Sequence, residues 1–523
     1  MSVRVYYLST RDSMKLYNKN NEKSADKKHQ TTNQKLYSYL DRCCDILRGP
    51  INQDEFKSYI TPLLFFKRIS DVYDEEFRYA LHDSGGDVEY AGFSENHKFV
   101  IPDGCHWDDV HETSENVGSA IISAMTGIER ANPATLNGVF SSFDDVTWTD
   151  KNKLSDERLK NLIEHMSSIK IGNKSYPADV MGDSYEYMIK KFADLSKKTA
   201  GEFYTPREVV KLLVMLLNPQ AGDTVYDPAC GTGGMLIEAI RHMHNDTKTY
   251  GRIYGQEKNL ANSAIARMNL HLHGAADFKI AQGDTLRSPN YLKEGKLRTF
   301  NCVIANPPFS LKKWGADAFA SDAYGRNIWG CPTDTNGDYA WVQHMVSSMD
   351  PKDGRVGVIL SQGALSRGNN EGTIRKQMVE SDKLECVIAL TGRLFYGSQI
   401  PAAILVLNNN KPAAHKGKVC FIDAENIFTP KRAQNILTDE NIETIYAYYT
   451  SYEDAPDYVK IATIADIREK DYKLSVNRYV EHTSEAIISA EEAKRNFYAA
   501  MDEVFAAEDK LKQLLKEGGY LHE

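Results

Sequence analysis

Residues 306–309 read Asn-Pro-Pro-Phe and follow directly on the apolar run Cys302-Val303-Ile304-Ala305. If that run is a strand, an amide side chain, a rigid carbonyl and a flat ring stand at its carboxyl end, where open α/β sheets bind their ligands. The Asn306 side-chain oxygen and the Pro307 carbonyl are two acceptors, and a planar amine such as the exocyclic amino group of adenine has two N–H donors. That amine is a poor nucleophile because its lone pair is delocalised into the ring. Accepting both protons draws the nitrogen towards tetrahedral geometry and localises the lone pair, so no strong base is needed before attack. Phe309 would stack on the base, an interaction worth roughly 1–3 kcal/mol. Pro307 fixes its own φ and holds Asn306 extended, and Pro308 continues the rigid turn. Within a duplex the nitrogen is out of reach in this geometry, so the base must be everted. Taken alone, the tetrapeptide also fits a proline-rich turn that closes a strand.

A second signal lies upstream in Asp227-Pro228-Ala229-Cys230-Gly231-Thr232-Gly233-Gly234. Here a short strand runs into a glycine-rich turn and then a helix beginning near Met235. Such a turn lets backbone approach a ligand and aims helix N-terminal N–H groups at it. The glycine spacing, Gly-x-Gly-Gly, departs from the dinucleotide fingerprint and disfavours an NAD oxidoreductase. Glu257 ends the next strand, where a carboxylate can accept from both ribose hydroxyls. Asp284 ends the third strand and could accept from an adenine amine. Three acids closing three successive strands make this a cofactor pocket beside a base pocket.

These residues need a sheet to position them. Short apolar runs at 224–226, 252–255, 278–281, 302–305, 355–360, 384–390 and 403–407 alternate with helical stretches, which predicts an α/β fold with a doubly wound, Rossmann-like parallel sheet over residues 196–465. Residues 1–34 are polar and read as a mobile lead-in. Residues 35–195 read as a helical domain. Leu36, Leu40, Cys43, Cys44 and Leu47 keep three-to-four spacing, and a second helix spans about 54–79, with Pro62 expected to kink or restart it. Residues 310–337 form a long loop carrying Trp314, Phe319, Tyr324 and Trp329, which could fold over an everted base. Residues 466–523 are helical again, with Phe497, Met501, Val504, Leu511 and Leu515 on one narrow stripe.

With 42% hydrophobic and 26% charged residues, the 523-residue chain is ordinary globular material. No run approaches the roughly 18 apolar residues of a membrane span, and the N-terminus lacks the long apolar segment of a secretory signal, so the cytoplasm is the expected compartment. None of the eight cysteines forms a Cys-x-x-Cys pair, so neither a metal site nor a disulfide framework is expected. The net charge of −9 matters more. A protein that holds DNA by itself needs basic surface to displace counterions, so an acidic one must concentrate its positive charge or borrow it.

The motifs named so far, with Gly201-Glu202-Phe203-Tyr204-Thr205-Pro206, Leu394-Phe395-Tyr396-Gly397 and Ile400-Pro401-Ala402, resemble the modification (M) subunit of type I restriction-modification systems. So does the segment from Leu47-Arg48-Gly49 through Phe66-Lys67-Arg68-Ile69-Ser70-Asp71, and the likeness covers about residues 35–480. The resemblance implies methylation of the amino nitrogen of adenine in double-stranded DNA with S-adenosylmethionine. It implies that Thr205 and the Gly231-Thr232-Gly233 turn, with Ala229 in the same loop, hold the methionine end of the cofactor. Asp227 would face its ammonium group, Glu257 the ribose and Asp284 the adenine. Asn306, Pro307, Pro308 and Phe309 would form the target-base site. The resemblance further implies a separate specificity (S) subunit, two M per S, and admits a restriction (R) subunit. Little chain follows Leu407 to read bases with, and the 497–515 stripe is a natural docking helix. A protein-glutamine methyltransferase shares the tetrapeptide but not the Gly-Glu-Phe-Tyr-Thr-Pro element or a large helical domain. A non-catalytic assembly subunit would be expected to have lost Asn306 or the glycine turn, and both are intact.

Overall fold

A computed structural model describes residues 33–53, 55–143, 146–195, 205–247, 251–395, 399–432, 434–482 and 490–518. Residues 1–32 of the lead-in, Asp54, Gly201 to Tyr204, and Tyr396 with Gly397 therefore lie outside the described residues, and residues 33–34 already belong to a helix.

The first part is helical. Its principal helices are α1 (33–47), α2 (Phe56–Asp83), α3 (Val117–Ala131), α4 (Asp156–Ser167) and α5 (Ala178–Leu195). The predicted stripe of α1 is buried in full: Leu36, Leu40, Cys43, Cys44 and Leu47. Pro62 does not break α2, which runs continuously past it. The proline costs one backbone hydrogen bond, to the Ser58 carbonyl. Burial of Tyr59, Ile60, Leu63, Leu64, Phe65 and Phe66 around it outweighs that loss, since each such side chain contributes about 1.5–3 kcal/mol.

The second part is a sheet of nine strands: β1 (Val225–Asp227), β2 (Ile253–Glu257), β3 (Phe278–Gln282), β4 (Cys302–Ala305), β5 (Arg355–Ser361), β6 (Leu384–Leu390), β7 (Ala402–Asn408), β8 (Lys418–Ala424) and β9 (Val459–Thr463). Their order is β9-β8-β6-β7-β5-β4-β1-β2-β3. The sheet is mixed, not parallel throughout: β7 enters between β5 and β6 and runs antiparallel to both, and β9 is antiparallel to β8. Alternation of apolar runs and helices predicts strands but is blind to their direction, because a strand buried on both faces shows the same unbroken apolar run either way. Strands β8 and β9, and the helix between them, extend the sheet beyond the runs read from the sequence.

Helices cover both faces. On one lie α6 (Arg207–Leu217), α7 (Gly234–Thr247) and α11 (Asp439–Ser451). On the other lie α9 (Asp338–Ser347) and α10 (Asn370–Glu380). Helix α8 (Leu260–Leu272) is shared. Its Ala264, Ile265, Met268 and Leu272 belong to the core of the helical domain, while Ala266 and Leu270 face the sheet. The two parts therefore meet across α8, which adds side chains to the separate core of each. The last helix, α12 (Ala490–Glu517), exposes nearly all of its described side chains.

Candidate active site

Strand β4 delivers Asn306 to the carboxyl edge of the sheet beside the end of β1, its parallel neighbour. The amide Nδ2 of Asn306 donates to Thr205 Oγ1 at 2.9 Å. That bond sets the orientation of the amide. Its Oδ1 is then buried and has no partner. A buried acceptor left unpaired costs about 1–3 kcal/mol, so its persistence marks a place where a donor is expected. Pro307 is buried, and Phe309 is half-buried with its ring edge-on to Phe395, centroids 6.0 Å apart.

A cavity opens from this amide along the end of β1. Thr205, Asp227, Ala229, Gly231, Thr232 and Asn306 all line it. Gly231 has φ +52°, a left-handed conformation that glycine adopts without strain, and a Cβ there would point into open space. Gly233 turns away and packs on Ala266 of α8. Asp227 is wholly buried. Burial pushes its carboxyl up to about 8, partly countered by the Ala229 N–H that its Oδ1 accepts at 2.9 Å.

Two of the predicted cofactor acids stand outside the cavity wall. Glu257 braces the glycine turn, its Oε2 accepting from Gly231 N–H at 2.9 Å and its Oε1 from Asn259 N–H at 2.7 Å. Burial raises the Glu257 carboxyl. Asp284 pairs with Lys258 at 2.9 Å.

The same cavity takes in residues that sequence reading passed over: Glu186 and Ile189 of α5, Arg207 of α6, Glu238 of α7 and Asn269 of α8. Arg207 directly follows Thr205-Pro206, and Glu238 lies one turn into the helix that the glycine loop opens, so both had a local signal. Glu186 and Asn269 come from distant helices and had none. The Oδ1 of Asn269 and the Oε2 of Glu238 are buried without a hydrogen-bond partner, like Oδ1 of Asn306. Two acceptors without a partner, Asn306 Oδ1 and Asn269 Oδ1, and the Glu238 carboxylate, whose Oε2 lies 3.8 Å from Arg207 and 3.7 Å from Arg241, surround one cavity with buried Asp227 beside them, and suit a ligand rich in N–H donors and positive charge. The sulfonium and ammonium of S-adenosylmethionine meet that description.

Asp183, Glu186 and His273 bring three ligand atoms within 4.8 Å of one another. Arg241 fills the gap, donating to Asp183 at 2.6 Å and lying 3.1 Å from His273. With the Arg241 guanidinium at its centre, this trio is an arginine-centred brace between α5 and α7, and burial lowers the His273 imidazole to about 3.

The aromatic loop is not poised over the cavity. Trp314 and Phe319 are turned inward with Leu286, Ala340 and Trp341. Arg326, 1% exposed, pairs with Asp322 at 2.6 Å and donates to the carbonyls of Thr285 and Leu286 at 2.9 and 2.8 Å. The loop is thereby riveted to the segment that follows β3. Lys312 and Lys313 are exposed beside the tetrapeptide.

The model of the N-6 DNA methylase family matches residues 177–486, and that of the HsdM N-terminal domain matches residues 36–166. The chain belongs to the N-6 DNA methylases, as the modification subunit of a type I restriction-modification system. The type I restriction enzyme MjaVIII methylase subunit of Methanocaldococcus jannaschii is 32% identical, over 88% of this chain and 80% of the relative. The HindI methylase subunit of Haemophilus influenzae is 31% identical, over 83% of this chain and 95% of its own length. Among solved structures, the type I methyltransferase subunit of Streptococcus thermophilus superposes with a TM-score of 0.74 at 27% identity, over 86% of this chain and all of that one. The modification subunit is an adenine-specific DNA methyltransferase. Among the described residues no helix is long and apolar enough to cross a membrane.

Proposed function

We propose that this modification subunit transfers the methyl group of S-adenosylmethionine to the amino nitrogen of an adenine everted from duplex DNA. In this reading Asn306, Pro307, Pro308 and Phe309 form the base site, and a separate specificity subunit chooses the sequence. The observation that carries it is the Asn306 side chain. Thr205 holds its nitrogen, and its oxygen is left buried and unpaired at the mouth of a cavity shared with the glycine turn.

The cofactor supplies an electrophilic methyl on a sulfonium. Thr205, Ala229 and the backbone of Gly231 and Thr232 form the cradle for its methionine end, with Gly233 closing the turn behind them and Asp227 facing the ammonium. Glu257 retains lone pairs for ribose hydroxyls beyond the two N–H groups it accepts, and Asp284 is the acceptor for the adenine. The Asn306 oxygen and the Pro307 carbonyl each accept one N–H of the target amine, which localises its lone pair. Phe309 stacks on the ring. After transfer the extra proton leaves to solvent, and no strong general base is required.

The specificity subunit accounts for the charge. A chain of net charge −9 is poorly suited to gripping duplex DNA unaided. Helix α12 exposes Phe497 (61%), Val504 (64%) and Leu511 (56%) along one side, a face suited to a partner helix. Two modification subunits on one specificity subunit, with a restriction subunit as an optional associate, complete the proposed assembly.

Asn306→Ala tests the reading. In the complete complex it removes the oriented acceptor, and methyl transfer to DNA is expected to fall by about 2.7–4 kcal/mol of barrier, or 100- to 1,000-fold, with cofactor affinity little changed. Transfer at the wild-type rate would reject the proposal.

A further inference from the structure

Asp338 opens α9 and is wholly buried. Its Oδ1 accepts the backbone N–H of Ser310 at 2.7 Å, and its Oδ2 accepts from Nη2 of Arg367. Arg367 also donates from Nε to Glu371 at 2.8 Å, and its Nη1 lies 3.4 Å from Ser310 Oγ. Ser310 is the residue after Phe309. Its φ is +51°, a left-handed conformation that a non-glycine L-residue keeps only where its surroundings hold it. Here a full negative charge clamps the N–H of the peptide joining Phe309 to Ser310, and a bond to an ionised acceptor is stronger than one to a neutral carbonyl. Two neutral backbone bonds hold the next residues, from Gly337 N–H to the Leu311 carbonyl at 2.9 Å and from Lys313 N–H to the Asp334 carbonyl at 2.8 Å. The bond to Asp338 acts on the peptide that carries the Phe309 ring.

We infer that Asp338 is a positioning residue for methyl transfer. It locks the Phe309–Ser310 peptide, and Arg367 holds its carboxylate in place. The ring of Phe309 and the acceptors of Asn306 and Pro307 then present one fixed surface to the everted base. The inference rests on the reading of the tetrapeptide given above. Without the clamp, residue 310 relaxes out of the left-handed region and the ring moves with it. Asp338 does not line the cofactor cavity, so cofactor affinity is a separate readout.

The test compares D338A, D338N, D338A/S310G and N306A in the complete methyltransferase complex. Three quantities are read: single-turnover methyl transfer, the Kd for S-adenosylmethionine, and the fluorescence of 2-aminopurine placed at the target adenine. D338A is expected to slow transfer on the order of 100-fold, as a misplaced reacting group does, with Kd within about threefold of wild type and altered 2-aminopurine emission. D338N keeps an acceptor for Ser310 and is expected within about tenfold of wild type. D338A/S310G is expected to regain about tenfold over D338A, because glycine holds a left-handed φ unaided. A carboxylate that merely stabilised the fold would give no rescue by glycine. Wild-type transfer by D338A, or a slow D338A that S310G does not relieve, overturns the clamp when N306A is inactive. An active N306A overturns the reading of the tetrapeptide instead. If D338A does not accumulate as folded protein, R367M takes its place with the same S310G rescue and the same two outcomes.

Discussion

Asp227→Asn is the substitution whose effect can be worked most fully. The Asp227 carboxyl is 2% exposed, and burial pushes it up to about 8. Its ordinary value is about 3.9, so folding takes up a proton between about pH 4 and 8. The contribution to stability is full below about pH 4 and lost as pH rises through about 8. A cationic group seated beside the carboxylate reverses that preference, so binding expels the proton. With a value of about 8, roughly 0.3% of the carboxyl is ionised at about pH 5.5 and roughly 3% at about pH 6.5. The affinity for S-adenosylmethionine should therefore rise about 10-fold over that window, or about 1.4 kcal/mol. At about pH 6.5 a free α-amino group with its midpoint near 7.7 is still about 94% protonated, so its own titration contributes little. The substituted amide carries no titratable proton, so the variant should bind with an affinity flat in pH, close to wild type at the acid end of the window and weaker at the other. Calorimetry in buffers of different ionisation enthalpy reads both the affinity and the proton released. A flat profile in the wild type, or the same rise in the variant, would refute the argument.

Two further predictions concern the periphery. Truncation after Ala490 removes α12, and the chain is expected to lose co-purification with its specificity subunit while binding S-adenosylmethionine as before; unchanged assembly would reject the docking role. Arg326→Ala strands the buried Asp322 carboxylate and two carbonyls, and should cost about 3 kcal/mol in denaturant unfolding and expose residues 310–337 to limited proteolysis. An unshifted midpoint would show that the loop is held by its aromatic side chains alone.

Much of this molecule is legible in its residues because short-range physics governs those parts. Three-to-four spacing shows which side of α1 is buried, and the glycine turn announces the opening of α7. The proline pair after Ala305 states that a strand ends in a rigid amide-bearing turn. What could not be read has a common cause. Pro62 looks like a helix breaker because local propensity weighs one lost hydrogen bond, whereas the folded chain weighs it against a buried helix. The direction of β7 leaves no trace in an apolar run, and only pairing with β5 and β6 decides it.

The aromatic side chains of residues 310–337 suggest a lid when counted along the chain, but Trp314 and Phe319 are turned into a small core of their own. The sequence by itself determined the chemistry available, since an amide, two prolines, a ring, a glycine turn and a strand-end acid can be recognised one segment at a time. Tertiary structure decided what each group is free to do. It gave each oxygen of Glu257 a backbone N–H to brace and paired Asp284 with Lys258. It brought Glu186 and Asn269 in from separate helices. It tied Asn306 to Thr205 so that one oxygen stays buried and unmatched. Those outcomes depend on contacts between residues far apart in the chain, where spacing and composition carry no signal and only the packed sheet and its helices bring the groups within hydrogen-bonding reach.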